Sequence, residues 1–332
     1  MSFAVLETGS LDAAWNLAAE QYVFDSLPGD RDYLMLWQNR RAVIIGKYQN
    51  TAAEIDEDYV RRKKIQVIRR LSGGGAVYHD LGNLNYTVIT DAAAGSRIDL
   101  ALFCEPLVRT LAGFGVKAEI SGRNDVTVDG KKISGNAQYR KNGRVMHHGT
   151  ILFDSDLAAV SAALHANAEK LSGKGVDSVR SRVTDLKPYL PKGIGLGRFK
   201  QAFLKELSRN GGFERIAFTE EDRAAVSRLA EERYRRREWN YGASPACTLL
   251  RKKRIEGCGT VELYITLEKD RITALSIRGD FFGGEGLDGL EKALTGLPPE
   301  RKCCEEALKA LPAGEIIHGL SRDAFLSLLC GS

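Results

Sequence analysis

Between Asp125 and Phe153 the chain carries two tight-turn dipeptides, Asp129-Gly130 and Asn142-Gly143, each set between strand-forming runs. Asp, Asn and Gly tolerate the positive φ that a short hairpin needs, so each pair reverses the chain within a few residues. The spacing predicts three consecutive strands, Val126–Val128, Lys131–Gln138 and Arg144–Phe153. The middle of the chain is therefore committed to a meander.

Around it, strands and helices mix. Residues 11–25 read as an amphipathic helix with Leu11, Ala14, Trp15, Ala18 and Tyr22 on one face and Ser10 as N-cap. Tyr33–Trp37, Ala42–Ile45, Gln66–Arg70, Ala76–His79 and Leu84–Thr90 read as strands. Asp56–Lys64 and Leu100–Phe114 read as helices, the second ending near Gly115. Helices return at about 156–164, 199–209 and 219–236. Residues 172–197 read as a long exposed loop, and loops of that length are often functional lids. The texture changes near Tyr241–Pro245. Three strand-like runs follow to about Ile277, then helices at 287–294, 301–309 and 321–330. The expected organisation is one domain over residues 1–245 and a smaller α+β domain over 246–332.

Composition narrows the class. A chain of 332 residues with 43% hydrophobic and 27% charged residues can bury a sizeable core. Its net charge of +5 favours an anionic ligand or acidic partner only weakly. The start, MSFAVLETGS, does not read as a signal peptide, and no apolar run is long enough to span a bilayer, so a cytoplasmic protein is expected. Cys104, Cys247, Cys258, Cys303, Cys304 and Cys330 form no Cys-x-x-Cys pair. Scattered thiols suit a reducing compartment, and each reads most simply as a small buried hydrophobe.

Three segments point to chemistry. In Arg69–Tyr86, RRLSGGGAVYHDLGNLNY, a serine and three glycines lie between two strands. Without Cβ atoms, backbone N–H groups can approach phosphate oxygens, and neighbouring arginines can pair with phosphate or carboxylate. The plainer alternative is a flexible hairpin loop. In Gly122–Thr150, GRNDVTVDGKKISGNAQYRKNGRVMHHGT, Lys132 can meet developing phosphate charge and Asp125 can hold Mg²⁺ beside phosphates. Taken singly, Lys132 is as easily a solvated turn residue. His147 and His148 point to opposite faces of a strand and make a poor metal pair. In Ser178–Asp185, SVRSRVTD, Arg180 and Arg182 fall on one side of an extended stretch. That stretch is either a loop closing over an anion or a solvated basic loop.

The segments RRLSGGGAVYHDLGN, GRND, DGKKISGNA, HHGT and SVRSRVT occur together in the order and context of one family. Over nearly its whole length the sequence resembles a lipoate-protein ligase of the long bacterial type, with a C-terminal accessory domain. The resemblance implies a mixed α/β catalytic domain related to biotin-protein ligases, ATP as substrate and Mg²⁺ as cofactor. It implies that Lys132 is the essential lysine, touching the acyl carbonyl and the α-phosphate. Arg70, Ser72, Gly74, Gly75, Val77, His79 and Asn83 match the adenylate-binding wall. Asn124 and Asp125 match the pair beside the phosphate, with Asp125 the Mg²⁺ partner. Ala137 and His148 match further ligand contacts, Arg182 lies in the loop over the adenylate, and Trp37, with Arg70 and Lys132, lines the lipoate site.

The expected reaction makes lipoyl-AMP from lipoic acid and then acylates a lysine. The acceptors would be lipoyl domains of 2-oxoacid dehydrogenase E2 subunits and the glycine cleavage H protein. A monomer without nucleic acid or membrane partners is expected. The rival of the same fold is a lipoyl or octanoyl transferase that needs no ATP and carries the acyl group on a cysteine. In the catalytic region only Cys104 is available, and it reads as a core residue of the 100–114 helix. The basic clusters Arg233–Arg237 and Arg61–Lys64 raise a nucleic-acid reading, against which stands a solvated helix face. Gly284–Gly289 fits G-x-G-x-x-G but precedes two successive helices, so a turn is the simpler reading.

Overall fold

The computed structural model describes residues 3–91, 100–122, 124–164, 182–209, 211–242, 245, 247–283, 286–309, 311 and 313–331. Its contacts form two units. The first comprises Met1–Ile44, Ile55–Arg69 and Val77–Asn240; the second comprises Ile45–Glu54, Arg70–Ala76 and Tyr241–Ser332. Two short pieces of the N-terminal half, Ile45–Glu54 and Arg70–Ala76, thus belong to the second unit.

The first unit holds strands β1 (Phe3–Glu7), β2 (Tyr33–Trp37), β3 (Ala42–Ile45), β4 (Gln66–Arg69), β5 (Val77–His79), β6 (Asn83–Asp91), β7 (Glu119–Ser121), β8 (Asp125–Val128), β9 (Lys131–Lys141), β10 (Arg144–Leu152) and β11 (Phe213–Ile216). Eight of them form one sheet in the order β11-β1-β2-β6-β10-β9-β8-β7. β1 runs parallel to β2 and β11, and the other pairs are antiparallel, so the sheet is mixed. A smaller sheet has the order β4-β3-β5. The meander forms as β8-β9-β10, and Asp129, Gly130, Asn142 and Gly143 all take positive φ at its turns.

Alternation along the strands gives the large sheet two different faces. Leu34 and Leu36 of β2, Leu84, Tyr86 and Val88 of β6, Ile151 of β10, Ile133 of β9 and Val126 of β8 belong to the apolar core. Cys104, Leu107 and Leu111 of the helix Ala101–Gly113, with Phe199 and Phe203 of the helix Leu196–Leu207, complete that core. The opposite face is more polar and carries the candidate site.

The first helix, Ala13–Ser26, departs from expectation. Its N-cap is Asp12, which accepts from Ala14 N at 3.1 Å; Ser10 Oγ instead accepts from Asp12 N. Burial runs almost around it and includes Asn16, Leu17 and Glu20, while Trp15 and Tyr22 are only half-buried. The reason is a second covering layer. Trp15 meets Phe218 edge-on at 5.8 Å and donates to Ser227 Oγ at 3.2 Å, and Tyr22 donates to Asp222 at 2.6 Å.

Residues 172–181 of the expected loop lie outside the described residues. The rest is an irregular, half-exposed segment that is pinned to the core at several points. Val183 forms a parallel bridge to Lys132, a 3-10 turn spans Lys187–Tyr189, and Leu186, Leu190 and Ile194 are buried in the core.

The second unit carries an antiparallel sheet of β12 (Leu249–Ile255), β13 (Gly259–Glu268) and β14 (Arg271–Gly279), with helices Leu287–Leu294, Arg301–Ala307, Ala313–Ile316 and Arg322–Cys330. Val261, Leu263, Ile277, Phe281, Leu290 and Phe325 are among its core residues, and Tyr48 stacks on Phe281 at 5.0 Å. Gly284 and Glu285 lie outside the described residues. Gly286, at φ +104°, starts a helix that follows an antiparallel sheet and leads to another helix, which is not a βαβ dinucleotide unit. No described helix is long and apolar enough to cross a membrane.

Candidate active site

Directly opposed residues of antiparallel strands share a face. In β8 and β9, Asp125 opposes Gly135, and a bulge between Val126 and Thr127 re-aims Lys132. Lys132 Nζ lies 2.7 Å from Asp125 Oδ1, each side chain one-third exposed. The two form a close ion pair, and that oxygen is shielded from solvent. Gly135 makes this geometry possible. A Cβ there would lie 2.7 Å from Lys132 Nζ and 2.9 Å from Lys132 Cε. The lysine backbone is fixed too, because its carbonyl accepts from Thr184 N at 2.9 Å. The exposed Arg182 is therefore next but one to a residue hydrogen-bonded to the lysine's own backbone.

Two asparagines fix the entry to β8. Asn124 Nδ2 donates to Asn136 O at 2.7 Å, and Asn136 Nδ2 returns to Asn124 O at 3.0 Å. Asn136 Oδ1 also accepts from Tyr86 Oη. Asn124 thus holds the chain in place immediately before Asp125. Arg123 lies outside the described residues.

His148, opposed to Ala137 and Thr87, belongs to the polar face. Its Nδ1 meets Glu20 Oε1 at 2.9 Å. The same oxygen accepts from Thr87 Oγ1 at 2.7 Å, and Thr87 Oγ1 accepts from Trp37 Nε1 at 3.0 Å. One buried network therefore orients Trp37 and His148. Glu20 was missed in the sequence because a lone glutamate on a helix gives no sign of facing inward. His147 points the other way, stacked on Phe103 at 4.5 Å. Burial, with His148 nearby, pushes its pKa well below the usual histidine range and keeps it neutral. Among the described residues no group of three or more His, Cys, Asp or Glu side chains could hold a metal.

Val77 opposes Ile44 and His79 opposes Ala42 in the small sheet. The His79 ring meets the Trp37 ring edge-on at 6.1 Å, and its Nδ1 lies 3.1 Å from Asn39 Nδ2. Asn83 donates to Asn85 Oδ1 at 2.8 Å on the polar face.

Arg70, Ser72, Gly74 and Gly75 belong to the second unit. Arg70 turns back on its own loop, donating to Ser72 Oγ at 3.0 Å, Gly73 O at 2.6 Å and Gly75 O at 2.9 Å. Gly74, at φ +89°, donates its amide to Phe281 O at 3.2 Å. A Cβ on Gly73 would lie 2.2 Å from that same carbonyl. The glycine run thus serves a close approach of two backbones here, a use the sequence could not separate from phosphate binding. Cys104 is fully buried in the core, and Ser178–Ser181 lie outside the described residues. Of the basic helix cluster, Arg233 donates to Gln21 at 2.9 Å and lies over Trp239, while Arg235 pairs with Asp12 and Glu231.

The first unit falls in a defined class: residues 12–208 match the family model described as the lipoyl protein ligase A/B catalytic domain. Residues 244–329 match the bacterial lipoate protein ligase C-terminus, and the chain belongs to the lipoate-protein ligase family. It is 38% identical over 321 residues to Lipoate-protein ligase LplJ of Bacillus subtilis, covering 96% of this chain and 97% of that protein. A bipartite lipoate protein ligase of Thermoplasma acidophilum, solved in a study that includes its E2 lipoyl domain, is 29% identical at a TM-score of 0.65, covering 75% of this chain and 100% of that one. A lipoate-protein ligase A bound with ATP is 28% identical at a TM-score of 0.62, covering 73% of this chain and 99% of that one.

Proposed function

We propose that this chain activates lipoic acid with ATP as lipoyl-AMP and transfers the lipoyl group to a lysine of acceptor lipoyl domains. The observation that carries this reading is the Lys132–Asp125 pair over Gly135, on the sheet face that also bears Trp37 and His148. A carboxylate is a poor electrophile towards an amine. One carboxylate oxygen bonds to the α-phosphorus as the bond to pyrophosphate breaks. The acceptor amine then bonds to the carbonyl carbon as the bond to AMP breaks and the amine gives its proton to solvent. Lys132 stabilises charge first on the α-phosphate and then on the carbonyl oxygen. Trp37 lines the acyl chain, and the glutamate network keeps its indole in place.

Mg²⁺ fits the residues present in one mode. A single carboxylate, with no cluster of three or more such groups among the described residues, suits an ion held mainly by phosphate oxygens and waters, not a protein cage. Asp125 would hold it, and the ion would neutralise triphosphate charge. Arg70, Ser72, Gly74, Gly75, Val77, His79, Asn83, Asn124, Ala137, His148 and Arg182 keep their adenylate assignments on the strength of the family motifs. Acceptors among E2 subunits and the glycine cleavage H protein, a cytoplasmic setting and a monomer complete the reading.

The test is incubation with ATP, Mg²⁺ and lipoate, with mass spectrometry for lipoyl-AMP, with and without a lipoyl domain. Absence of both adenylate and lipoylated domain defeats the proposal. Trp37→Val is expected to admit bulkier acids, since it removes an indole that is only 4% exposed. An acid preference unchanged from wild type would remove Trp37 from the acyl site.

A further inference from the structure

Two buried amides on the polar sheet face are incomplete. Asn83 Nδ2 donates to Asn85 Oδ1 at 2.8 Å, and the two residues are 0% and 1% exposed. Asn83 Oδ1 and Asn85 Nδ2 have no hydrogen-bond partner among the described residues. A donor sealed from water without an acceptor destabilises the fold, so such groups are rare unless something arrives to pair with them.

Strand register shows what lies beside Asn85. Trp37 opposes Asn85, Asn85 opposes Thr150, Thr150 opposes Gly135, and Gly135 opposes Asp125. These five positions form one row across β2, β6, β10, β9 and β8, all on the same face. The Lys132 ammonium lies over the Gly135 position of that row. The row therefore passes from an apolar indole, past an unpaired amide donor and the Thr150 hydroxyl beside the Gly135 backbone, to a cation and a carboxylate. Two strand spacings separate Asn85 from Gly135, roughly 10 Å. A carboxyl group lying above the Thr150 side chain, with a hydrogen bond of about 2.9 Å on each side, spans that distance. An acid lying along the row, tail at Trp37 and reacting end at Lys132, places its carboxyl between Asn85 and the lysine.

We infer that the Asn85 carboxamide NH₂ hydrogen-bonds the carboxyl oxygen of the bound acid on the side opposite Lys132. The inference rests on the proposed lipoate-activating reading. In the first step a donor on one carboxyl oxygen leaves the other aimed at the α-phosphorus. In the second step the same donor faces the oxygen that gains charge as the amine attacks. Asn85 is then a substrate-binding residue and not a packing residue.

The experiment compares the full-length wild type with Asn85→Ala and Asn85→Asp. Lipoic acid binding is measured by calorimetry, adenylation kinetics by mass spectrometry, and Tm by scanning calorimetry. Asn85→Asp retains the oxygen that accepts from Asn83 and replaces the donor with a charged acceptor, so its Tm is read beside its binding and Asn85→Ala serves as the uncharged control. Asn85→Ala should weaken lipoate binding about 10- to 100-fold, the loss expected for a hydrogen bond to a charged group. Asn85→Asp should weaken it further, because it sets one carboxylate against another. Both losses should appear in the lipoate KM and not in the ATP KM. Folded variants that bind lipoate within about twofold of an active wild type overturn the inference and leave the parent reading standing. A wild type that forms no lipoyl-AMP overturns both.

Discussion

Lys132→Ala is expected to abolish lipoyl-AMP formation while leaving the first unit folded. Deleting one preorganised electrostatic group typically costs about 10²- to 10³-fold in turnover. Lys132 is proposed to act in both half-reactions, so the combined lipoylation yield should fall at least that far. The fold should tolerate the change. Its ion pair with Asp125 is one-third exposed on both sides, and pairs this exposed contribute at most about 1 kcal/mol. The lysine's backbone contacts, the bridge to Val183 and the bond from Thr184 N, do not involve its side chain. Mass spectrometry of the adenylate and scanning calorimetry of the same preparation check both halves. Supplying ready-made lipoyl-AMP with a lipoyl domain then isolates the transfer step. An adenylate yield equal to wild type would strip Lys132 of its role.

Local chemistry decided which parts of this molecule were legible from sequence. The meander was readable because Asp129-Gly130 and Asn142-Gly143 impose their φ values wherever they occur. β7 and β11 were not, since they are three and four residues long, mostly exposed, and carry no alternating apolar pattern. The helix Ala13–Ser26 misled because periodicity reveals one buried face and cannot announce a second layer over the other. The same blindness hid Glu20, whose hydrogen-bond partners Thr87 and His148 are brought to it from far along the chain. Lys132 and Asp125 stood out as residue types in a familiar order. Their contact depends on a bulge that no residue in the motif signals. The glycine run shows the opposite limit. Its lack of Cβ atoms was legible, but whether a phosphate or the Phe281 backbone uses the space is a tertiary question.

Gly135→Ala separates the presence of the lysine from its placement. Gly135 is not among the positive-φ glycines, so its backbone accepts alanine. The three atoms nearest the new methyl would be Lys132 Nζ, Lys132 Cε and Asp125 Oδ1. Nothing rigid is struck, and a flexible side-chain end moves aside. Alanine in a strand also loses less conformational freedom than glycine on folding, by roughly 0.5–1 kcal/mol. Tm should therefore hold or rise. Activity should not, because the methyl takes the place where the ammonium rests. Displacement of a reacting group by about 1 Å can cost about 10²-fold. The expected result is a well-folded enzyme whose adenylation rate is about 10- to 100-fold lower, with Gly135→Val lower still. Rates from adenylate mass spectrometry, set beside melting curves, decide it. A Gly135→Ala enzyme at full rate would mean that the lysine works from somewhere other than its position over Gly135, and the row of side chains leading to it would lose its mechanistic meaning.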